Sequence, residues 1–301
     1  MMKQKTACIL GGSGFVGQQL IRRLTKSGWH CLVPSRRPHR HREMKLIPHT
    51  TLREIDTLDA PTLEVCFAGC DLVVNLIGIL NEDRRTTFAG VHVELVQRIV
   101  AAARRAGVTR LLHMSALHAH PERGRSAYLR SKGAGENIAH AAEDLAVTSF
   151  RPSVIFGRGD SFFNRFATLL DMTPGVFPLA CPDARFAPVW VGDVAEAMAR
   201  CLDDAATIGR RFDLCGPRNF TLEELVAYTA GRIGRHVLLA GLNDWGSRTQ
   251  ARLFELIPGK PFTRDNYLSM QTPSICDEHT GLLELGIHPT DIEAVVPTYL
   301  G

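Results

Sequence analysis

The chain has 301 residues, 45% of them hydrophobic and 22% charged, with a formal charge of +4. That hydrophobic share excludes a largely disordered chain, and 26 Gly and 16 Pro without a period exclude collagen-like and low-complexity architectures. No stretch approaches the roughly 18 to 20 apolar residues of a membrane helix, since the best candidate, Leu72 to Leu80, is short and interrupted by Asn75.

The apolar run before Gly11 is too short for a signal-peptide core, so a soluble, cytoplasmic protein without a transmembrane segment is expected. Eight cysteines are too sparse for a disulfide scaffold. Cys66 and Cys70 suit one helix face better than a metal knuckle. The cysteines therefore read as buried thiols and no metal site is expected.

Thr6–Leu10 reads as a first strand ending in glycines, and Val16 to Ser27 as a helix through Val16, Leu20, Ile21 and Leu24, stopped at Gly28. His30–Val33 and Leu52–Ile55 are short strands, and Leu72–Ile79 a strong, apolar fourth. Phe88 to Ala106 reads as one long helix, Leu111–Ser115 as a fifth strand, Ala127–Asp144 as a helix and Val147–Arg151 as a sixth strand. Strands apolar on both faces, alternating with helices, predict an α/β fold with a doubly wound parallel sheet.

After about residue 155 the rhythm changes. Asp193–Leu202 reads as a helix opened by a capping Asp193, Arg211–Leu214 as a short strand, and Thr221 with Glu224 as a capping box. The remainder, rich in proline, reads as short helices and loops laid as a cap on the sheet. Phe162, Phe163 and Phe166 read as core, His113 as a strand histidine, and His118 and His120 as loop residues.

Gly11-Gly12-Ser13-Gly14-Phe15-Val16-Gly17 lies between the first strand and the first helix. A diphosphate needs several donors at once, and the N–H groups of a tight turn and a helix N-terminus supply them. With 26 glycines the G-x-x-G-x-x-G spacing is weak alone; its place between strand and helix gives it weight. The second strand ends Pro34-Ser35-Arg36-Arg37 with no carboxylate before Glu43. An acidic residue there would accept from a ribose 2′-OH, whereas guanidinium groups would bind a 2′-phosphate. NADP(H) is therefore expected in preference to NAD(H). The basic run lacks the aromatic platforms of a nucleic-acid groove, so no nucleic acid is expected.

Tyr128-Leu-Arg-Ser-Lys132 is a Y-x-x-x-K, which four tyrosines and six lysines would produce by chance about 0.08 times per chain. A spacing of four puts both side chains on one helix face. A phenol near pKa 10 is a poor base at neutral pH, and an adjacent ammonium would lower it. Tyr128 and Lys132, with Ser115 at the end of the fifth strand, are therefore the candidate catalytic residues.

With these motifs the sequence resembles the short-chain dehydrogenase/reductase superfamily, in its extended and atypical branches, over nearly the whole chain. The resemblance implies a Rossmann-like NAD(P)-binding domain over residues 1–155 and a mixed cap or substrate region over 156–301 that also returns elements to the sheet. It assigns the cofactor loop to Gly11, Ser13, Gly14, Phe15, Val16 and Gly17, and the adenine contact to Asp56. Asn75-Leu76-Ile77-Gly78 is similar to the family's N-x-x-G beside the adenine ribose, and Arg151-Pro152-Ser153-Val154 to its R-P segment near the nicotinamide. Val191-Gly192-Asp193-Val194-Ala195 is similar to the V-x-D-V-A turn of extended members.

More narrowly, DLVVNLIGIL, VHVE, SAYLRSKGAGE and RPSVIFGRGDSFFNRF resemble the atypical group that contains the nucleotide-binding accessory subunit of respiratory complex I and its bacterial relatives. His92 stands where active extended members usually place an Asn that helps a proton-relay water. Three functions follow as expectations. The first is an NADP(H)-dependent oxidoreductase acting on a small, partly apolar carbonyl or alcohol. The second is a non-catalytic NADP(H)-binding subunit with a respiratory-complex partner, and the third a nucleotide-sugar epimerase or dehydratase.

Overall fold

The computed structural model describes residues 4–257, 259–277 and 280–301. The chain divides into two compact units, Met1–Ala116 with Ser131–Arg151 and Val194–Phe212, and Leu117–Arg130 with Pro152–Asp193 and Asp213–Gly301.

The first unit is built on a parallel sheet. The sheet strands and the helices between them are, in chain order, β1 (Thr6–Leu10), α1 (Phe15–Lys26), β2 (His30–Ser35), β3 (Thr50–Glu54), α2 (Ala60–Phe67), β4 (Leu72–Asn75), α3 (Leu95–Arg105), β5 (Arg110–Met114), α4 (Ala127–His140), β6 (Ala146–Pro152) and β7 (Arg211–Leu214). The sheet order is β7-β6-β5-β4-β1-β2-β3. Every pairing from β3 through β6 is parallel. The crossover falls between β1 and β4, so the chain winds first to one side and then to the other, as the strand–helix alternation predicts.

Apolar burial explains the arrangement. Cys8, Val73, Leu111 and Val147 bring the central strands into one cluster with Phe67 and Ile99 of the neighbouring helices. Each such side chain, fully buried, contributes about 1.5–3 kcal/mol. The carboxylate of buried Glu136 on α4 accepts three hydrogen bonds from Arg151 of β6, two from Nε and one from Nη2, with Arg211 of β7 at 3.7 Å.

Two elements differ from expectation. The apolar run from Leu72 leaves the sheet after Asn75, because the Asn75 side chain turns back and its Oδ1 accepts from the Ile77 N–H at 3.2 Å. A strand continuing to Ile79 is thereby prevented. The helix expected over Phe88–Ala106 is two pieces, a π-helical segment Ala89–Glu94 followed by α3. An extra residue in the first piece widens the turn and re-aims His92.

The second unit pairs short strands. Ile155–Phe156 runs parallel to Val189–Trp190, Leu238–Gly241 parallel to Val176–Leu179, and Phe220–Thr221 antiparallel to Arg185–Phe186. Phe156 and Phe163 meet edge to face in a core with Leu225, Ile292 and Val296, and Phe162 and Phe166 pack beside them. Thr221 and Glu224 form the expected capping box of the helix Leu222–Arg232.

The helix expected to be capped by Asp193 begins earlier, at Val191. The Asp193 carboxylate accepts instead from Thr290 N (2.7 Å) and Thr290 Oγ1 (3.1 Å). The reading of all cysteines as thiols is also corrected. Cys8, Cys31, Cys66, Cys70 and Cys201 are buried thiols, but Cys215 and Cys276 form a disulfide beside Leu117, Ala187 and Ile275. Their separation of 61 residues gave no local signal.

Among the described residues no helix is long and apolar enough to cross a membrane, and no His, Cys, Asp or Glu cluster could hold a metal ion.

Candidate active site

The glycine turn is shaped by close backbone approach. Gly11 takes φ +76°, the left-handed region, and Gly14 N–H donates to Gly11 O at 2.9 Å. A Cβ on Gly17 would lie 2.5 Å from Gly12 Cα and 2.6 Å from Gly11 O, so only glycine lets α1 start against the turn. Gly14 is the N-cap of α1 without a side-chain cap, and the first turn carries no acidic residue. Its N–H groups therefore face outward as donors for an anion. Ser13 is half-buried, its carbonyl accepting from Gln18, while Phe15 and Val16 form the first turn of α1.

The loop after β4 closes on this turn. A Cβ on Gly11 would lie 3.2 Å from Leu76 C and 3.3 Å from Ile77 N. Further along, a Cβ on Gly78 would meet Lys132 Nζ at 3.1 Å and His92 Nε2 at 3.6 Å. Thus Gly11, Leu76, Ile77, Gly78 and Lys132 are brought together within the first unit.

At the end of β5, Lys132 Nζ donates to Met114 O at 2.9 Å. Burial pulls this ammonium down to about 8, with the Glu136 carboxylate opposing. The next residue, Ser115, is 3% exposed, and its Oγ is buried with no hydrogen-bond partner. Buried hydroxyls are nearly always bonded, so an orphaned one is a group waiting for a ligand atom. A Cβ-free cradle and this orphaned oxygen fit a dinucleotide and a substrate oxygen.

Arg36 and Arg37 are exposed directly after β2, where Ser35 Oγ accepts from the Arg37 N–H at 3.3 Å. Asp56 is exposed just beyond β3. His113 is buried, with Nδ1 3.3 Å from Asn75 Nδ2 and Nε2 without a partner.

In the second unit, Tyr128 is half-buried in the first turn of α4, one turn before Lys132 on the same helix. Asp265 accepts from Ala127 N (2.7 Å) and Tyr128 N (3.1 Å). Burial first, then the Asp265 charge, pushes the phenol up to about 12. The expected lowering by Lys132 is not what prevails. Sequence reasoning missed Asp265, which lies far along the chain in the short helix Arg264–Met270 and bears no motif.

Ser153 is buried, accepting from Ala187 N and donating to Ser274 O at 2.6 Å, with Pro152 and Val154 half-buried on either side. His118 and His120 are loop residues, as expected: His118 Nε2 lies 3.0 Å from Ile275 O, and His120 Nδ1 accepts from the backbone of Glu122 and Arg123.

Comparison with known proteins matches residues 7–215 to the NAD dependent epimerase/dehydratase family. The chain belongs to that family. It is 30% identical over 298 residues to the mouse (Mus musculus) mitochondrial NADH dehydrogenase [ubiquinone] 1 alpha subcomplex subunit 9, covering 95% of this chain and 77% of the relative. It is 31% identical over 254 residues to a ceramide reductase of Caulobacter vibrioides, covering 82% and 76%. Among solved structures, an NADPH-dependent quinone oxidoreductase from Escherichia coli, complexed with NADPH, shares the fold at a TM-score of 0.77 and 20% identity, covering 97% and 99%. The doubly wound parallel sheet is the fold shared with these solved structures.

Proposed function

We propose that this family member is an NADP(H)-dependent oxidoreductase that interconverts a carbonyl and an alcohol on a partly apolar substrate. The observation that carries this reading is the ammonium of Lys132, buried on the Met114 carbonyl beside the unpartnered Ser115 hydroxyl. A desolvated cation held on the carbonyl of the residue before an orphaned hydroxyl is costly to fold unless a ligand completes the pair.

When bound, the nicotinamide supplies or accepts the hydride. The turn Gly11, Ser13, Gly14, Phe15, Val16 and Gly17 would hold the diphosphate, and Arg36 and Arg37 a 2′-phosphate. Asp56, Leu76, Ile77 and Gly78 would line the adenosine half, and Pro152, Ser153 and Val154 the nicotinamide side. Lys132 would hold ribose hydroxyls. Ser115 donates a hydrogen bond to the substrate oxygen and Tyr128 exchanges a proton with it. A phenol near 12 keeps its proton at neutral pH, which suits the donor role and hence carbonyl reduction. Similarity to a ceramide reductase supports a substrate with an apolar chain.

A second reading, a non-catalytic NADP(H)-binding subunit of a respiratory complex, is favoured by the 30% identity to the mouse subunit over 95% of this chain. One experiment separates the two. NADPH oxidation is followed with a panel of apolar ketones, aldehydes and quinones, alongside nucleotide titration. For the enzyme, Tyr128→Phe lowers turnover roughly 10²- to 10⁴-fold and leaves NADPH affinity unchanged, whereas Lys132→Ala weakens both. No turnover in the wild type, with full complementation of a deletion strain by Tyr128→Phe, establishes the accessory subunit instead.

A further inference from the structure

We infer that His92 is a positioning residue: a neutral imidazole carrying its proton on Nδ1, which ties the loop after β4 to α4 and so fixes the wall against which Lys132 rests.

The imidazole is 2% exposed and stacks on Phe88, with ring centroids 5.5 Å apart. Its Nε2 accepts the backbone N–H of Ile79 at 3.1 Å. A backbone amide can only donate, so Nε2 carries a lone pair and the ring's single proton sits on Nδ1. Nδ1 lies 2.8 Å from Ser131 Oγ, which accepts that proton's hydrogen bond. One ring thus spans two elements with two directional bonds.

The backbone around it is built for this reach. His92 belongs to the π-helical segment Ala89–Glu94, and a Cβ on Gly135 of α4 would lie 1.9 Å from His92 O. Only glycine at 135 lets α4 approach so closely. Ser131 and Lys132 are adjacent on α4. Lys132 Nζ and His92 Nε2 lie 3.1 Å and 3.6 Å from the point where a Gly78 Cβ would be. The imidazole and the ammonium therefore flank the same glycine.

A second proton on His92 would put an N–H against the Ile79 N–H. Lys132 of α4 acts on the ring as a charge, and the ring in turn acts on His113 of β5. Burial, then the Lys132 charge, pulls His92 down to about 3. The ring is neutral wherever the protein is folded at ordinary pH, and both nitrogens are committed. His92 holds groups in place and relays no proton.

This inference uses the proposed function only for what Lys132 does, and its test reads no nucleotide, so the two can fail separately. In ¹⁵N-histidine NMR of the wild type, His92 is expected as the Nδ1–H tautomer, with unchanged ¹⁵N shifts from pH 8 to 5.5. An Nε2–H tautomer, or a titration near 6.5, overturns the inference. With only six lysines in the chain, the Lys132 side chain can be titrated by ¹³C NMR. His92→Ala opens the Gly78 wall to water and is expected to move Lys132 from about 8 toward the ordinary lysine value near 10.4. His92→Gln, whose amide reaches the Nε2 position and can accept from Ile79, is expected to restore a value near 8. An unmoved Lys132 in folded His92→Ala overturns the positioning role.

Discussion

The carboxylate of Asp265 binds the backbone N–H groups of Ala127 and Tyr128, at 2.7 and 3.1 Å, from 138 and 137 residues further along the chain. A helix leaves its first N–H groups unpaired, and a carboxylate at that end satisfies them and complements the helix dipole. Here the cap also sets a negative charge that acts on the phenol of Tyr128, the second residue of the helix.

Asp265→Asn tests that coupling. The amide oxygen keeps an acceptor at the helix end while the charge is lost. The Tyr128 phenol is expected to fall below about 12 but to stay above its ordinary value near 10, because burial, the larger cause, remains; ultraviolet difference titration against Tyr128→Phe reads the change. Asp265→Ala, which loses the acceptor as well, is expected to cost about 1 kcal/mol in stability. A phenol that titrates identically in Asp265→Asn and wild type refutes the coupling.

Gly17 and Gly231 give opposite expectations for the same substitution. A Cβ at Gly17 collides with the backbone of Gly12 and Gly11, which cannot rotate away. Gly17→Ala should destabilise by about 1–3 kcal/mol and impair nucleotide binding. At Gly231, inside the helix Leu222–Arg232, nothing lies within 4 Å of an added Cβ. Gly231→Ala should stabilise by about 0.5–1 kcal/mol. Urea unfolding of both variants checks the contrast, and equal effects would count against the close approach at the turn.

Much of the sheet was legible because its signals are local. Five strands announce themselves as apolar runs, the glycine turn by its place after the first of them, and the helix at Thr221 by its box with Glu224. What escaped depends on partners distant in sequence. Asn75 stops β4 by bonding Ile77, although Leu76, Ile77 and Ile79 read as strand. Gly135 permits the π-helical turn at His92 from another helix altogether. The Cys215–Cys276 pairing, the Asp265 cap and the Thr290 contact of Asp193 arise only once the chain has folded. For the candidate site, Tyr128, Lys132 and Ser115 were singled out by type and spacing, but the raised phenol was not, since its causes are burial and a carboxylate with no motif.

Acid stability should carry the mark of His92 and His113. Burial, first, pulls both rings down to about 3 in the folded protein, whereas they titrate near 6.5 when unfolded. Between these values the unfolded chain binds more protons than the folded one, so stability rises with pH across that window. Their contribution is complete above about 6.5 and is lost as pH falls toward 3. Each ring adds up to roughly 1.4 kcal/mol per pH unit to the slope. Urea unfolding from pH 7 to pH 4 should therefore show a shallower fall in His113→Asn than in wild type. Parallel curves would mean that His113 titrates alike in both states.

On the proposed reading, cofactor choice turns on the two guanidinium groups after β2. Arg36 and Arg37 are exposed, and the segment that follows reaches Glu43 before it offers a carboxylate. A 2′-phosphate carries charge that such groups bind in paired, charge-assisted hydrogen bonds, while a bare 2′-hydroxyl gains little from them. The wild type is therefore expected to bind NADPH more tightly than NADH. Replacing both arginines with alanine should weaken NADPH roughly tenfold or more, the scale of a lost hydrogen bond to a charged group, and leave NADH almost unchanged. Because the arginines are exposed, the preference should also shrink as salt rises and screens the phosphate. Fluorescence titration of both nucleotides at low and high ionic strength reads all three effects. Equal affinities in the wild type, unmoved by the double substitution, would assign Arg36 and Arg37 to an ordinary solvated loop.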